Sequence, residues 1–421
     1  MTILRLPGIK KGGTGLDAHL NTKTYESCMR SCSFELFAGS LITGDGEVKE
    51  NIHIGVTDGV ITEISENPLK REYPEAYDFS MKTVMPGLID AHVHIRYDPS
   101  GDPEQQSHEY QALRGTENAR KALYSGVTSL GDAGAVGNVA FAVRNAVNNG
   151  VTVGPRLFVS GEMITITGGR SKTPGERLEV NGADSAREAA RRLLMYHNAD
   201  YIKLGATGAI SSAHTGPRHP QLTVDEMNAC CEEAHNCGKL VHSHCYGEKG
   251  ISNSLEAGCD VIVHGQTLTD AHIDYMRKND LILMPTLKAF CGHLDHVGEG
   301  GTHDRIVSTG IWEETEPNFR RAHKAGLTIA MGTDAGMPDD HFGDNYRDLE
   351  YMVEWGMTPM EAVQAGTLNA AKSLAVEDNV GTIGVGKRAD LIVLGRNPLD
   401  DIRNIGKSLE EVILNGVFIE K

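Results

Sequence analysis

Apolar and polar residues follow one pattern near the two ends of the chain and another in its middle. Near both ends, short apolar runs alternate with polar residues around Asp-Gly or Asn-Gly pairs, as in VTDGVITEI at 56–64 and VILNGVFIEK at 412–421. Such alternation around a two-residue turn predicts β-hairpins. We therefore predict one small β-sandwich domain assembled from residues 33–84 and 371–421. Residues 1–32 show no clear period and are interpreted as an N-terminal extension.

The central part of the chain, residues 85–370, alternates short apolar runs with segments of helical spacing. The apolar runs lie at residues 83–95, 126–133, 155–166, 199–207, 239–246, 259–265, 280–287 and 327–336. Segments such as HEYQALRGTENARKALYSG lie between them, and a Gly follows several of these patterns, as it often does at a helix end. Eight strands separated by helices predict an α/β fold, a (β/α)8 barrel of the TIM type. A doubly wound sheet agrees less well with the sequence, because no Gly-rich phosphate loop follows the first strand.

Residues that can bind a metal ion interrupt the apolar strands near their carboxyl ends. They are His92 and His94 on the first strand, Lys203 on the fourth, His242 and His244 on the fifth, His264 on the sixth and Asp334 on the eighth. Active sites of such barrels are built at this end of the strands, and residues two apart on a strand face the same side. Histidine nitrogens and carboxylates are ligands that Zn²⁺ takes, so we predict a metal centre here.

Each of these residues has a simpler interpretation when it is taken alone. A histidine at a strand end more often forms hydrogen bonds, an aspartate before Ala-Gly often belongs to a turn, and a lysine can extend to solvent. Their joint placement on five strands favours the metal site. Lys203 fits such a site if its amine has reacted with CO₂, because the resulting carbamate is a carboxylate-like group that can bridge two metals.

Charge and composition argue against several other classes of protein. The 421 residues carry a formal net charge of −17 without a dense run of Lys or Arg, which argues against nucleic acid as a partner. No apolar run approaches the roughly 20 residues that cross a bilayer, and the first residues lack the apolar core of a signal peptide. The eight cysteines form no paired CxxC framework, so we predict a reduced, cytoplasmic protein with no membrane partner.

Several motifs, taken in chain order, resemble the amidohydrolase superfamily of metal-dependent hydrolases. They are MPGLIDAHVH around the first two histidines, TDAG on the eighth strand, TLNAAKSL and GTIGVGKRADLIVL. More narrowly, GPRLFVSG, ITITGG, IKLGATG and AGCDVIVHG resemble the Xaa-Pro dipeptidase and imidazolonepropionase-like branch, and the whole resemblance covers residues 33–421. It implies two divalent metal ions, with Zn²⁺ as the expected metal, and a carboxylated lysine. It also implies a small-molecule substrate and a homo-oligomer whose number of subunits the sequence does not fix.

The resemblance implies a role for each residue of the centre. The implied metal ligands are His92, His94, Lys203, His244, His264 and Asp334. In this branch the metal-binding histidine of strand five lies 20 residues before that of strand six. This spacing favours His244 as the strand-five ligand (264 − 244 = 20), and His242 stays open as the alternative. A metal-bridging hydroxide would attack the scissile carbonyl, and Asp334 would take its proton and deliver it to the leaving amine.

Two further positions bear on the substrate. Tyr246 stands two residues after His244, where its phenol either donates a hydrogen bond to the substrate or packs against its neighbours. Arg170 replaces the histidine of the usual TGGH motif, which puts the polarising role of that histidine in doubt. Arg170 is instead a candidate partner for a substrate carboxylate. The candidate substrates are dipeptides, N-acyl amino acids, and aryl amides, ureas or carbamates.

Two other functions are consistent with a barrel of this kind. A mononuclear deaminase or an imidazolonepropionase-type ring hydrolase uses one metal and needs no lysine on strand four, so Lys203 argues against both. A non-catalytic scaffold usually loses metal ligands, and here every expected position carries one. We therefore predict an amidohydrolase that cleaves a C–N bond of an amide, peptide-like, urea or carbamate substrate.

Overall fold

Strands and helices alternate through the middle of the chain, and strands dominate both ends. This computed structural model describes residues 33–98, 106–169, 177–210, 215–294 and 302–420, so the predicted extension at 1–32 lies outside the described residues. The strands are β1 Ser33–Ile42, β2 Val48–Thr57, β3 Val60–Ser65, β4 Ala76–Pro86, β5 Leu88–Val93, β6 Val127–Asp132, β7 Arg156–Val159, β8 Ile164–Ile166, β9 Leu178–Val180, β10 Ile202–Gly205, β11 Val241–Cys245, β12 Val261–His264, β13 Ile282–Met284, β14 Thr328–Ile329, β15 Leu391–Leu394, β16 Leu409–Leu414 and β17 Val417–Phe418.

The helices lie mainly between the parallel strands of the middle. They are α1 His108–Tyr124, α2 Val139–Asn148, α3 Ala183–Arg191, α4 Val224–Asn236, α5 Glu248–Ala257, α6 Asp270–Lys278, α7 Leu287–Leu294, α8 Thr302–Ser308, α9 Trp312–Lys324, α10 Arg347–Glu354, α11 Pro359–Gln364, α12 Ala370–Ser373 and α13 Asn404–Lys407. Turns of π-helix at Arg192–Tyr196 and Ala365–Asn369 extend α3 and α11. Among the residues described, no helix has the length and apolar character needed to cross a membrane.

A single sheet of seven strands unites the two ends of the chain. Its order is β17-β16-β15-β4-β1-β2-β3, in which β1 runs parallel to β4 and β15 runs antiparallel to β4. Its buried side chains come from both ends and include Leu36, Ile54, Val84, Leu391 and Ile413. The N-terminal and C-terminal strands therefore share one hydrophobic core. The second packed layer of a β-sandwich and the domain boundaries after residues 84 and 370 stay predictions.

Two tight turns connect strands of this sheet through Asp-Gly and Asn-Gly pairs. Asp58 and Gly59 join β2 to β3 with φ values of 53° and 74°, and Asn415 and Gly416 join β16 to β17 with 49° and 74°. Positive φ at both central residues is what a type I′ turn requires, and these residue pairs tolerate it well. A Cβ on Gly59 would lie 2.4 Å from the carbonyl oxygen of Asn415, so the two turns pack closely together. The hairpin predicted at 56–64 is present.

The parallel strands of the middle are divided between two sheets. One has the order β5-β6-β7 and the other the order β14-β13-β12-β11-β10-β8-β9. Backbone hydrogen bonds join the two sheets at two places, between β5 and the segment after β14 and between β7 and the segment before β10. The amide of Asp334 donates to the carbonyl of His92 over 2.8 Å, and the amide of Asp200 donates to the carbonyl of Val159 over 2.9 Å. The fold is thus α/β, with parallel strands in the sequence order of a (β/α)8 barrel, although the strands of the described residues do not form one closed ring.

The third predicted strand, residues 155–166, is two strands in the structure. β7 and β8 flank a break and lie in different sheets. Within the break Gly161 has a φ of 72°, a left-handed conformation that ends an extended run. A Cβ there would lie 2.8 Å from side-chain atoms of Leu193 and Phe141, so a larger residue would not fit. The sequence pattern misses this break because apolar residues continue on both sides of the glycine.

Truncation of the core shared by the two ends should destabilise the protein. Leu391, on β15, is fully buried in this core. Replacing it with alanine should lower the free energy of unfolding by about 2–5 kcal/mol, because a cavity replaces its methyl groups. Val385 is 65% exposed, so Val385→Ala should change that free energy by less than about 0.5 kcal/mol in the same urea titration. Equal effects of the two substitutions would contradict the shared core.

Candidate metal centre

Three side chains of the ligand type meet where the first and last parallel strands end. β5 carries His92 and ends one residue before His94, while Asp334 follows β14. Oδ1 of Asp334 lies 3.3 Å from Nε2 of His92 and 3.0 Å from Nε2 of His94. All three side chains are buried. Two imidazole nitrogens directed at one carboxylate oxygen form a donor set that suits a divalent cation.

The electrostatics at this point favour the protonation states that metal binding requires. Burial, together with the charge of Lys203, holds the pKa of His92 well below its ordinary value, so its imidazole is neutral. Burial acts to raise the pKa of the Asp334 carboxyl, but the contacts with His92 and His94 outweigh burial and hold that pKa well below its usual range. A neutral imidazole and an ionised carboxylate are the forms that bind a metal.

Lys203 brings an amine close to His92 from β10, which is not adjacent to β5 or β14 in the sheets. It lies on β10, which pairs in parallel with β11 so that Lys203 is opposite His242 and Gly205 is opposite His244. Lys203 is only 1% exposed, and its Nζ lies 3.3 Å from Nδ1 of His92. A charged amine next to a histidine ligand would repel a cation, whereas a carboxylate formed on this nitrogen would attract it.

Two further histidines face each other at the ends of β11 and β12. Nε2 of His264 lies 2.8 Å from Nδ1 of His244. The other ring nitrogens have acceptors, since Nδ1 of His264 is 2.7 Å from the Thr286 hydroxyl and Nε2 of His244 is 3.4 Å from the Gly208 carbonyl oxygen. If these outer nitrogens carry the protons, two lone pairs point at each other. Without a cation, one of these nitrogens can donate a hydrogen bond to the other, and with both unprotonated the pair can bind a metal ion.

The two groups of side chains form one cluster. A nitrogen of His92, a nitrogen of His264 and a carboxylate oxygen of Asp334 all lie within 4.8 Å of one another. The ring centroids of His92 and His264 are 5.7 Å apart. The structure therefore brings together side chains from β5, β10, β11, β12 and the segment after β14 in one buried site that can hold a metal ion.

His242 has different surroundings, although it lies two residues before His244 on the same strand. Its Nε2 lies 2.7 Å from the backbone carbonyl oxygen of Ser373, and its ring packs against Tyr201 with 4.3 Å between centroids. Burial, with the charge of Lys203, lowers the pKa of His242 to about 3. These contacts favour a structural role for His242 and leave His244 as the better candidate ligand.

Substitution of the two histidines should separate these roles. His242→Leu should retain bound metal and lower the free energy of unfolding by about 1–3 kcal/mol, because the buried Ser373 carbonyl loses its hydrogen-bond donor. His244→Leu should instead lose bound metal. Metal analysis of the purified variants and urea unfolding measure the two effects. Loss of metal from His242→Leu with retention in His244→Leu would reverse the assignment.

The backbone of the cluster is strained at three positions. His264, Thr286 and Asp334 have φ values of 71°, 52° and 67°, in the left-handed region that glycine favours. Other residues adopt it uncommonly, and a β-branched residue such as threonine does so as a clear outlier. Strain of this kind persists where the surrounding structure enforces it, and it is concentrated at functional sites.

Asp90, which sequence reasoning did not single out, anchors the backbone before Asp334. Its buried carboxylate accepts hydrogen bonds from the Thr333 amide at 3.0 Å, the Thr333 hydroxyl at 2.6 Å and the Asn345 side-chain amide at 2.7 Å. Burial raises the pKa of Asp90, and these hydrogen bonds oppose that rise. Because Asp90 lies two residues before His92 on β5, it ties the first strand to the segment that carries Asp334. A lone aspartate within an apolar strand was the available signal in the sequence.

Of the two candidate substrate-binding residues, Tyr246 and Arg170, the structure describes only Tyr246. Tyr246 is buried, with its ring stacked on His264 at 4.4 Å between centroids and edge-on to His244 at 4.7 Å. Tyr246 therefore lies directly beside the candidate ligands. Arg170 lies outside the described residues.

The fold and the buried cluster together define a class, an α/β protein of the barrel type with a site that can hold a metal ion. The Amidohydrolase family profile matches residues 83–419, and the chain belongs to this family. It is a hydrolase that acts on carbon–nitrogen bonds, within a family that acts on small-molecule substrates and typically uses divalent metals.

Three relatives show which part of the family the chain is similar to. The ochratoxinase of Aspergillus niger is 29% identical over 401 residues, covering 87% of this chain and 82% of its own. A solved Xaa-Pro dipeptidase with bound methionine in its active site is 31% identical, with a TM-score of 0.84, and the match covers 92% of this chain and 100% of that one. The imidazolonepropionase of Geobacillus kaustophilus is 24% identical over 399 residues, covering 87% of this chain and 89% of its own. The family and the branch expected from the motifs are confirmed.

Proposed function

We propose that the protein hydrolyses amide bonds with two divalent metal ions, most readily Zn²⁺, and a carboxylated lysine. The proposed ligands are His92, His94, Lys203 as its carbamate, His244, His264 and Asp334. The observation that carries the proposal is the convergence of buried donor atoms. Oδ1 of Asp334 lies 3.0 Å from Nε2 of His94, and the facing nitrogens of His244 and His264 are 2.8 Å apart. Nitrogen and carboxylate donors in a buried cluster suit Zn²⁺.

The geometry supports a division of the ligands between the two ions. His92, His94 and Asp334 would hold one ion, because both imidazoles approach the same carboxylate oxygen. His244 and His264 would hold the other. Lys203 lies beside His92 with 3.3 Å between Nζ and Nδ1, so a carbamate on this nitrogen would add a carboxylate-like ligand next to the first group.

Asp334 is the residue proposed to move protons. When bound at these residues, the two ions would lower the pKa of a water molecule and polarise the scissile carbonyl group. The pKa of Asp334 is held low, so its carboxylate is ionised near neutral pH and is ready to accept the proton of the attacking water. Asp334 then delivers that proton to the leaving amine as the C–N bond breaks. Tyr246, stacked on His264, would donate a hydrogen bond to the substrate carbonyl or carboxylate.

The proposed substrates are dipeptides or N-acyl amino acids, with aryl amides, ureas and carbamates as the other candidate classes. Support comes from similarity to relatives that are named Xaa-Pro dipeptidase and ochratoxinase. The phenol of Tyr246 at the site would suit a substrate with a free carboxylate, and Arg170 stays a candidate partner for it from the sequence alone. A mononuclear deaminase or an imidazolonepropionase-type ring hydrolase is the alternative, and the position of Lys203 beside His92 argues against both.

The proposal extends to the organisation of the chain. Residues 85–370 would form a closed (β/α)8 barrel, and residues 33–84 with 371–421 would form the β-sandwich. The backbone hydrogen bonds between the two parallel sheets support the closed barrel. The seven-stranded sheet that contains strands from both ends of the chain supports the β-sandwich. Among the described residues, the thiols of Cys230, Cys231, Cys237, Cys245 and Cys259 take part in no disulfide, which suits a cytoplasmic protein. Family resemblance is the support for a homo-oligomer.

An assay of purified, Zn²⁺-loaded protein against these substrate classes tests the function. We expect release of free amine from at least one class, measured by chromatography with mass detection, and loss of this activity after a chelator. Protein prepared in the same way from Lys203→Ala should release none, which controls for contaminating peptidases. Failure of the metal-loaded protein to hydrolyse any member of the panel would contradict the proposed substrates. Activity that persists without metal would contradict the proposed mechanism.

A further inference from the structure

Thr286 is a fully buried residue whose hydroxyl contacts one of the candidate metal ligands. It lies two residues after the end of β13, at the carboxyl end of a strand that carries none of the proposed ligands. Its Oγ1 is 2.7 Å from Nδ1 of His264 and 2.8 Å from the carbonyl oxygen of Pro285. The sequence motifs gave this position no role.

The two contacts determine which atom donates and which accepts. A carbonyl oxygen only accepts, so the single proton of the Thr286 hydroxyl is donated to Pro285. The hydroxyl oxygen then accepts a hydrogen bond from His264, which requires a proton on Nδ1. A neutral imidazole protonated at Nδ1 keeps its lone pair on Nε2, and this is the nitrogen that lies 2.8 Å from Nδ1 of His244. Metal-binding histidines commonly have their other nitrogen fixed by such a partner.

We infer that Thr286 is a positioning residue that fixes the tautomer and orientation of His264, so that Nε2 faces the second metal ion. This inference rests on the proposed function and assigns a supporting residue to its site. Thr286 itself would touch neither the metal nor the substrate.

The backbone at Thr286 gives independent support. With a φ of 52°, this β-branched residue adopts a strained conformation that glycine or asparagine would adopt more easily. The backbone two residues after Thr286 is also fixed, because the amide of Lys288 donates a hydrogen bond to the buried carboxylate of Asp348 over 2.9 Å. A threonine kept under strain is explained if its hydroxyl is needed at this place.

Three substitutions at this position separate the hydroxyl from the shape of the side chain. Thr286→Ser keeps the hydroxyl, and Thr286→Val keeps the branched shape but cannot accept a hydrogen bond. Thr286→Gly removes the hydroxyl and relieves the left-handed strain, so it serves as a second test if the valine variant does not fold. Each variant is equilibrated with buffered Zn²⁺, and the metal bound per chain is measured together with its loss to a competing chelator.

The expected result is weaker binding of one metal ion in two of the variants. Thr286→Val and Thr286→Gly should bind that ion about 10- to 100-fold more weakly than the wild type, while Thr286→Ser should retain both ions. Long-range ¹H–¹⁵N spectra of metal-free protein should show His264 protonated at Nδ1 in the wild type and in a mixture of tautomers in Thr286→Val. Wild-type affinity for both ions in the valine and glycine variants, or loss of an ion from Thr286→Ser, would overturn the inference and leave the proposed function standing. A wild-type protein that binds no metal would overturn both.

Discussion

Lys203→Ala is expected to abolish amide hydrolysis and to deplete the protein of bound metal. Lys203 is buried on β10, and its Nζ lies 3.3 Å from Nδ1 of His92. In the proposed site this nitrogen would carry a carboxylate that serves as a ligand to both ions. Alanine removes that ligand from both ions at once, so the loss should exceed that caused by replacing any single histidine. Metal analysis and the amine-release assay on the same preparation measure the two effects together.

The chemical basis of this effect can be tested with CO₂. Metal-free wild-type protein should recover activity faster when Zn²⁺ is added with bicarbonate than in bicarbonate-free buffer, because the carbamate forms from CO₂. Lys203→Glu serves as a matched variant that supplies a carboxylate without carbamate chemistry, and it should retain more metal than Lys203→Ala. Full activity and full metal content in Lys203→Ala would contradict the carbamate assignment.

Asp334→Asn is expected to lower kcat by about 10²- to 10⁴-fold, which is the usual contribution of a positioned acid–base group. Asparagine has nearly the same shape, but it lacks the charge that attracts a cation and cannot accept the proton of the attacking water. In the wild type, the contacts with His92 and His94 keep the pKa of Asp334 well below its usual range, so the basic form is present at neutral pH. Steady-state kinetics of the metal-loaded variant measure the effect.

Asp339 provides a control in the same loop as Asp334. It is exposed, and its φ of 61° is one that asparagine also adopts readily. Asp339→Asn should therefore leave kcat within about twofold of the wild type, because most surface substitutions have small effects. Comparable losses in the two variants would mean that the loop as a whole, and not the Asp334 carboxylate, determines the rate.

The location of the cluster could be predicted from the sequence because each ligand-type residue interrupts an apolar strand. The four histidines His92, His94, His244 and His264 lie within one residue of a strand end, and Asp334 lies five residues after β14. Parallel strands bring such ends together. Motif spacing favoured His244, and the contact of His242 with Ser373 now gives that preference a structural reason. The roles of individual ligands stay predictions until metal is measured.

Other features depend on contacts that a sequence pattern does not contain. Asp90 stands out as a lone aspartate in an apolar run, whereas Thr286 gives no such signal. The role of each depends on a partner far away in the sequence, Asn345 for Asp90 and His264 for Thr286. The break at Gly161 depends on the side chains that surround it. The parallel pairing of β1 with β4 and the addition of β15 beside them likewise join segments that local periodicity cannot relate.

The number of metal ions per chain in fully active protein tests the central claim most directly. Protein loaded with Zn²⁺, freed of excess metal and assayed for amide hydrolysis should contain two equivalents of zinc per chain by mass spectrometry of the metal. Stepwise removal by a chelator should reduce activity in proportion to the loss of the two-metal form. One equivalent per chain in fully active protein would favour the mononuclear alternative. Full activity in protein without metal would contradict a metal-dependent amidohydrolase altogether.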